Sequence, residues 1–310
     1  MTQTFSFPYA FFEGKIVPIE GARVSIMTHA LQYGTGVFGG IRGYLSSNTA
    51  SVNVFRLPDH YARFLQSLKI LGKSFKYTQA ELVEITLALA KRNNPQTDCY
   101  FRPLAYASSY ELAPDLARVD FEFAMYMLPL KEYLPTTTGL RLMITHWIRI
   151  NDNIIPSRGK VTGGYINSSL ARAEAVRHGY DDALLLTHDG HLAEGSGSNF
   201  FMVREGVLIT SPKYADTLEG ITRRTVLELA SDLKIPVEER EIDVTEVYIA
   251  DEAFLTGTAA QVAWIANVDG RPIGDGTRGP HTRQIQTLFF DLVRGKEKKY
   301  SKWLTRVPQR

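Results

Sequence analysis

A chain of 310 residues is long for one core and comfortable for two lobes, and 44% hydrophobic with 22% charged residues is the composition of an ordinary folded protein. A formal net charge of +2 with dispersed basic residues argues against a nucleic-acid partner, and no apolar run reaches the length of a membrane span. The single cysteine, Cys99, forbids an internal disulfide, and no Cys/His array offers a metal site. Residues 1–12 lack the basic and apolar blocks of a secretory signal, so a cytoplasmic protein is expected.

Alternation at residues 9–12 and 16–19, separated by Glu13-Gly14-Lys15, predicts a hairpin. Phe64, Leu65, Leu68 and Leu71 have helical spacing, and Thr78 with Glu81 has capping-box spacing ahead of Leu82, Ile85 and Leu89. Strand-like sequence returns at 100–107 and 121–128, before Pro129 and the stretch Pro135-Thr136-Thr137-Thr138-Gly139. The interdomain loop is therefore placed at 131–139, between a small N-terminal α/β domain at 1–130 and a larger C-terminal domain at 140–310. That second half opens with a strand at 140–147 and a helix over 167–178, closed by Gly179. Strands at 183–187, 200–203 and 207–210 follow, joined by His188-Asp189-Gly190 and Arg204-Glu205-Gly206. Helices at 221–233 and 281–293 flank strands at 253–256 and 264–268. No period repeats, and the order of elements is α+β rather than regular βαβ.

Gly34-Thr35-Gly36-Val37-Phe38-Gly39 satisfies GxGxxG, the signature of a dinucleotide site. Its context is wrong: no convincing strand precedes it and Gly39-Gly40-Ile41-Arg42-Gly43 is a poor helix opening. A turn or a close backbone approach explains the glycines better. A different group of residues carries chemistry. Lys160 lies in Ser157-Arg158-Gly159-Lys160-Val161-Thr162-Gly163-Gly164-Tyr165, where it is either a surface lysine or an amine able to condense with an aldehyde. Glycines beside it allow packing against a flat ring, and Tyr165 offers a phenol to a ring oxygen. Glu194, ahead of Gly195-Ser196-Gly197-Ser198-Asn199, is either an exposed hairpin carboxylate or the partner of a ring nitrogen. Gly220-Ile221-Thr222 opens a helix whose free N–H groups suit a phosphate or an ordinary cap, and Thr258-Ala259 binds an anion or closes a turn. Arg42, Arg63 and Arg102 sit in apolar and aromatic surroundings, available for structural pairing or for phosphate and carboxylate recognition. The amine, the carboxylate and the glycine-rich turns together suggest a cradle for a cofactor with an aldehyde, a ring nitrogen and a phosphate, and pyridoxal 5'-phosphate needs all three.

Taken in order, His29-Ala30-Leu31-Gln32-Tyr33-Gly34, Tyr100-Phe101-Arg102-Pro103, the Lys160 segment, Glu194-Gly195 and Thr258-Ala259-Ala260 resemble the class IV, fold-type IV pyridoxal-phosphate aminotransferases. Within that group the chain most resembles the branched-chain amino acid aminotransferases, over nearly its whole length. The resemblance implies a two-domain α+β fold of type IV with its active site in the interdomain cleft. It also implies a homodimer, or a hexamer built from dimers, and substrates that are small amino acids and 2-oxo acids: leucine, isoleucine and valine against 2-oxoglutarate. By the same resemblance Lys160 is the catalytic residue, and Arg63, Tyr165, Glu194, Leu218, Ile221, Thr222 and Thr258 hold the cofactor. Tyr33, Phe38, Arg42, Tyr100, Arg102, Thr258 and Ala259 would meet substrate: Tyr33 from the second subunit, Arg102 at the distal carboxylate of glutamate and Arg42 on the pocket rim. One departure stands out. Where many members read Val-Phe-Glu-Gly-Ile-Arg, this chain has Val37-Phe38-Gly39-Gly40-Ile41-Arg42. That change is either a harmless loop difference or a roomier, less acidic pocket accepting aromatic amino acids or (R)-amines. A D-amino acid or (R)-amine transaminase and an aminodeoxychorismate lyase are alternatives on the same fold. A nicotinamide dehydrogenase and a cofactor-free binding module are alternatives from other classes.

Overall fold

A computed structural model describes residues 6–47 and 51–307, so residues 1–5 of the N-terminal segment weighed as a signal lie outside it. The chain forms two compact units. The first comprises Met1–Lys131, Gly159–Gly163 and Asp291–Arg310, and the second Glu132–Arg158 and Gly164–Phe290. Contiguous domains were expected, but residues 159–163 and 291–310 group with the first unit because both are tied to its sheet by backbone hydrogen bonds. No helix among the described residues is long and apolar enough to cross a membrane.

The first unit contains strands β1 (Tyr9–Phe12), β2 (Lys15–Pro18), β3 (Gly36–Phe38), β4 (Ile41–Leu45), β5 (Val52–Phe55), β6 (Cys99–Ala107) and β7 (Phe121–Pro129). Its helices are α1 (His29–Tyr33), α2 (Leu57–Ile70) and α3 (Gln79–Asn93). The expected hairpin is β1–β2, with Gly14 at φ +84° in its turn. Thr78 and Glu81 form the expected capping box of α3: the Glu81 N–H donates to Thr78 Oγ1 at 3.3 Å and the Thr78 N–H donates to Glu81 Oε2 at 2.7 Å. Phe64 of α2 projects onto the sheet, its ring 6.0 Å from that of Phe123, and Phe11 adds a second contact to Phe123 at 5.6 Å. The apolar stripe of the helix thus becomes one wall of a core whose other wall is the sheet.

The second unit contains β8 (Leu140–Ile144), β9 (Asp182–Leu186), β10 (Leu192–Gly195), β11 (Asn199–Arg204), β12 (Val207–Thr210), β13 (Val237–Glu239), β14 (Glu252–Gly257), β15 (Gln261–Val268) and β16 (Arg271–Pro272). Its helices are α4 (Tyr165–Arg177), α5 (Ile221–Asp232) and α6 (Val244–Val247); α7 (Pro280–Val293) then carries the chain back to the first unit, where β17 (Leu304–Val307) pairs with β5. The two sheets run β17-β5-β4-β6-β7-β1-β2, with β3 on β6, and β10-β9-β8-β15-β14-β11-β12-β13, with β16 on β15. In the second sheet β8 lies parallel to both β9 and β15, and β12 parallel to β13, while the other pairs are antiparallel. Leu140, Leu184, Phe200, Met202, Leu255 and Ile265 form part of its buried core. Mixed pairing and helices outside regular βαβ units agree with the α+β class expected.

Strands β3 and β4 were not anticipated, because Gly34, Gly36, Gly39, Gly40 and Gly43 read as turn signals. Within β4 the glycine instead makes room. A Cβ on Gly43 would lie 2.6 Å from Val52 Cγ1 and 2.8 Å from Cys99 Sγ. Cys99 itself is buried, and burial pushes its thiol up to about 12, with the Asp98 carboxylate contributing, which leaves it unreactive. Gly43→Ala is expected to destabilise the protein by about 1–3 kcal/mol through overpacking. Chemical denaturation checks this; an unchanged midpoint would show that β5 and Cys99 yield freely.

Candidate active site

Lys160 is placed by β3. The Phe38 N–H donates to Lys160 O at 3.0 Å, the Thr162 N–H to Gly36 O at 2.9 Å and the Gly163 N–H to Gly34 O at 2.9 Å. Val37 and Val161 form an isolated antiparallel bridge, so residues 159–163 are held alongside β3 without forming a strand of their own. Thr162 Oγ1 adds bonds to the carbonyls of Gly34 and Gly36. Gly34 adopts φ +64°, and a Cβ there would come within 2.8 Å of Gly163 Cα. The glycines of the GxGxxG match therefore serve a close backbone approach. Because β3 is antiparallel to β6 and leads into β4, no strand–turn–helix exists for a dinucleotide.

From this segment the half-buried Lys160 side chain reaches the ring of Phe38, with Nζ 5.0 Å from the centroid. Arg102 lies over the same ring at 4.8 Å and over Tyr100 at 5.2 Å. Tyr100 and Arg102 alternate along β6 and so face the same side, where Arg102 Nη2 donates to Tyr100 Oη at 3.2 Å. Burial raises the Tyr100 phenol above its ordinary range, partly offset by Arg102, so the group is a neutral hydroxyl at physiological pH. The Lys160 N–H donates to Ser67 Oγ at 3.2 Å, and that hydroxyl donates to the carbonyl of Arg63 at 2.9 Å, one helical turn earlier on α2. Arg63 and Lys160 thus share a backbone link.

One expectation changes, and one open alternative closes. Arg42 does not line a rim: it is 1% exposed and its Nη2 donates to the carbonyls of Leu130, at 3.0 Å, and of Lys131. Carbonyls just past the end of β7 hold the guanidinium inside. Nor does Gly39 leave spare room, since a Cβ there would lie 2.6 Å from Pro103 Cγ; proline occupies the space. Tyr33 is 40% exposed, with its hydroxyl donating to Leu112 O at 2.5 Å.

The second unit contains Glu194. Glu194, at 5% exposure on β10, is a buried carboxylate and not an open hairpin residue. Its Oε1 lies 2.9 Å from Arg149 Nη2, and its Oε2 accepts from Asn199 Nδ2 at 2.9 Å and the Leu218 N–H at 3.2 Å. Asn199 Nδ2 also donates to Leu218 O at 2.8 Å, fixing the half-buried Leu218 by its backbone. A Cβ on Gly220 would meet Asn199 Oδ1 at 2.1 Å, so the start of α5 and the Glu194 cluster fit together only through a glycine. At that helix start Ile221 and Thr222 are buried, and the N-cap residue is Gly220, which has no side chain to cap the first N–H groups. Thr258 and Ala259, both half-buried, form the turn joining β14 to β15, and Tyr165 is the first residue of α4.

Ser67, Arg149 and Asn199 had no assigned role. Their signals were present: a serine inside the apolar stripe of α2, an arginine between Ile148 and Ile150, and an asparagine completing the Glu194 run. Asp189, His191 and Glu241 also come together, their ligand atoms within 4.8 Å, although Asp189 and Glu241 are exposed and His191 Nδ1 lies 3.1 Å from Asp243 Oδ1.

Residues 36–268 match the family model for amino-transferase class IV. The chain belongs to the class IV aminotransferases. A probable branched-chain-amino-acid aminotransferase of Aquifex aeolicus is 45% identical to it over 99% of either chain. Among solved structures, the branched-chain aminotransferase of the archaeon Thermoproteus uzoniensis with norvaline superposes with a TM-score of 0.93 at 41% identity, covering 97% of this chain and 99% of that one. The branched-chain amino acid aminotransferase of Thermobaculum terrenum in its PLP-bound holo form gives 0.92 at 38% identity, covering 98% of this chain and 100% of that one. The two-sheet architecture of this class IV aminotransferase is accordingly that of the fold-type IV enzymes, as the resemblance implied.

One contact in this aminotransferase is testable by coupling. A Cβ on Gly40 would lie 2.0 Å from Tyr100 Oη. Gly40→Ala is expected to cost about 1–3 kcal/mol, and adding Tyr100→Phe should recover part of that loss. Urea melts of both single variants and the double measure the coupling; strict additivity would place the strain elsewhere.

Proposed function

We propose that the chain is a branched-chain aminotransferase that moves an amino group between leucine, isoleucine or valine and 2-oxoglutarate. Full-length likeness to branched-chain aminotransferases supports the activity. The cofactor is pyridoxal 5'-phosphate. The donor set fits it: an amine at Lys160, a buried carboxylate at Glu194, and at α5 a glycine-opened helix start with no side-chain cap. When bound, the cofactor supplies an aldehyde for the amino group and a ring that accepts electrons from the substrate's Cα. Lys160 would hold the aldehyde and carry the proton to and from the substrate's Cα, while Glu194 would hold the ring nitrogen, Tyr165 the ring hydroxyl and Leu218 the ring itself. Arg63, the Ile221 N–H, Thr222 and Thr258 would hold the phosphate. Tyr100 and the Thr258–Ala259 turn orient the substrate's α-carboxylate.

The observation that carries the substrate reading is the ring of Phe38, shared by the Lys160 amine at 5.0 Å and the Arg102 guanidinium at 4.8 Å. An aliphatic side chain gains about 25 cal/mol per Å² buried against such a surface, whereas a distal carboxylate needs a cation. A phenylalanine with an arginine on its face offers both. Leucine is expected to change the visible spectrum of the holoenzyme, and Lys160→Ala to abolish that response. Arg102→Ala should weaken the response to glutamate about tenfold more than that to leucine, the loss of one charge-assisted bond. A response only to D-alanine or (R)-1-phenylethylamine would replace this reading with a D-amino acid or (R)-amine transaminase.

The enzyme acts as a homodimer or a larger assembly of dimers in this reading. In the first unit Ile26 is 85%, Leu31 63% and Met27 56% exposed, beside a groove of about 340 Å³ lined by Phe11, Val24, Leu104 and Tyr106. A second copy covers this face and contributes its Tyr33. Ile26→Glu combined with Leu31→Glu is expected to yield monomers in sedimentation velocity; an intact dimer would move the interface elsewhere.

A further inference from the structure

We propose that Arg149 is a positioning residue: it keeps Glu194 ionised and thereby keeps the shared proton on the ring nitrogen of the cofactor. The inference rests on the assignment of Glu194 to that nitrogen and adds the reason the pair is charged. A carboxylate facing a pyridine nitrogen across one proton has two arrangements, carboxylate with pyridinium or carboxylic acid with neutral pyridine. In a buried place desolvation favours the neutral one. Glu194 is 5% exposed, so burial alone pulls the proton toward the carboxyl and disables the ring as an electron acceptor.

The surroundings of Glu194 oppose this. Arg149 Nη2 stands 2.9 Å from Oε1, with side-chain exposures of 11% for Arg149 and 7% for Glu194. Asn199 and the Leu218 N–H occupy Oε2 as neutral donors, at 2.9 and 3.2 Å. An opposite charge at such range lowers a carboxylate's proton affinity by roughly ten- to a thousandfold, and the guanidinium stays charged at any working pH.

Arg149 is also fixed from behind. Its Nε donates to the carbonyl of Asp216 at 3.1 Å, and its backbone N–H to Leu186 O at 2.7 Å, just past the end of β8 and at the end of β9. Asp216 adopts φ +52°, and its carboxylate accepts from the Asp152 N–H at 3.0 Å and from Asn151 Nδ2 at 3.3 Å. That carboxylate is thus turned to the 151–152 backbone and side chain while its carbonyl serves Arg149. The planar fork of arginine lets Nε and Nη2 bond in two directions at once, which a lysine cannot do.

The test uses holoenzyme reconstituted with pyridoxal 5'-phosphate labelled with nitrogen-15 in the ring, read by NMR at neutral pH, with the leucine half-reaction followed in parallel. Wild type is expected to show a protonated ring nitrogen. Arg149→Gln should shift the resonance toward the unprotonated position and slow the half-reaction at least about tenfold, with cofactor still bound; Arg149→Met serves if the glutamine variant does not fold. Arg149→Lys, which restores the charge, should return the resonance toward wild type. A protonated ring nitrogen in both neutral variants, while Glu194→Gln loses it, would overturn the role of Arg149 and leave the proposed function standing. A Glu194→Gln variant that keeps the protonated signature would instead remove Glu194 from the ring nitrogen, and this inference with it.

Discussion

The backbone ladder between residues 159–163 and β3 is the constraint on which the arrangement around Lys160 depends. Lys160 has no regular element of its own to hold it, and a long flexible side chain on a free loop would spend its time in solvent. Hydrogen bonds from Phe38, Thr162 and Gly163 hold that loop alongside β3, and the Thr162 hydroxyl locks onto the same carbonyls. Two glycines, Gly34 and Gly163, allow the close approach. Once the segment is docked, the amine, the Phe38 ring and the Arg102 guanidinium share one surface, because Phe38 lies on the strand to which Lys160 is tied.

Glu194 is governed by the opposite problem. A buried carboxylate is costly unless its charge is met by donors of fixed direction. Here the donors come from three places: Arg149 beyond β8, Asn199 at the start of β11, and the Leu218 backbone ahead of α5. Gly220 lets Asn199 pack against the opening of that helix. The acid and the uncapped helix start are therefore parts of one packed cluster in the second unit.

Aromatic side chains and arginines do different work according to depth. Arg102 is half-buried and its guanidinium rests on the rings of Phe38 and Tyr100, whereas Arg42 is fully buried, lies over Tyr44 at 5.2 Å and donates through Nη2 to backbone carbonyls. Both sit in similar aromatic stretches of sequence. Burial and the nearest acceptors separated them, and neither can be read from a one-dimensional pattern.

By itself the sequence determined the order of most elements, since the hairpin at β1–β2, the capping box of α3, the long strands β6 and β7 and helices α4, α5 and α7 are set by local turn chemistry and periodicity. It also singled out Lys160, Glu194 and the start of α5, whose residue types suit one cofactor. Tertiary structure alone decided what the glycines between Gly34 and Gly43 do, because a glycine that admits a neighbouring strand looks the same in sequence as one that turns the chain. It alone joined Ser67 to Lys160 and Arg149 to Glu194, and put residues 159–163 with the first unit, because those contacts join residues far apart in the chain through hydrogen bonds that no local pattern encodes.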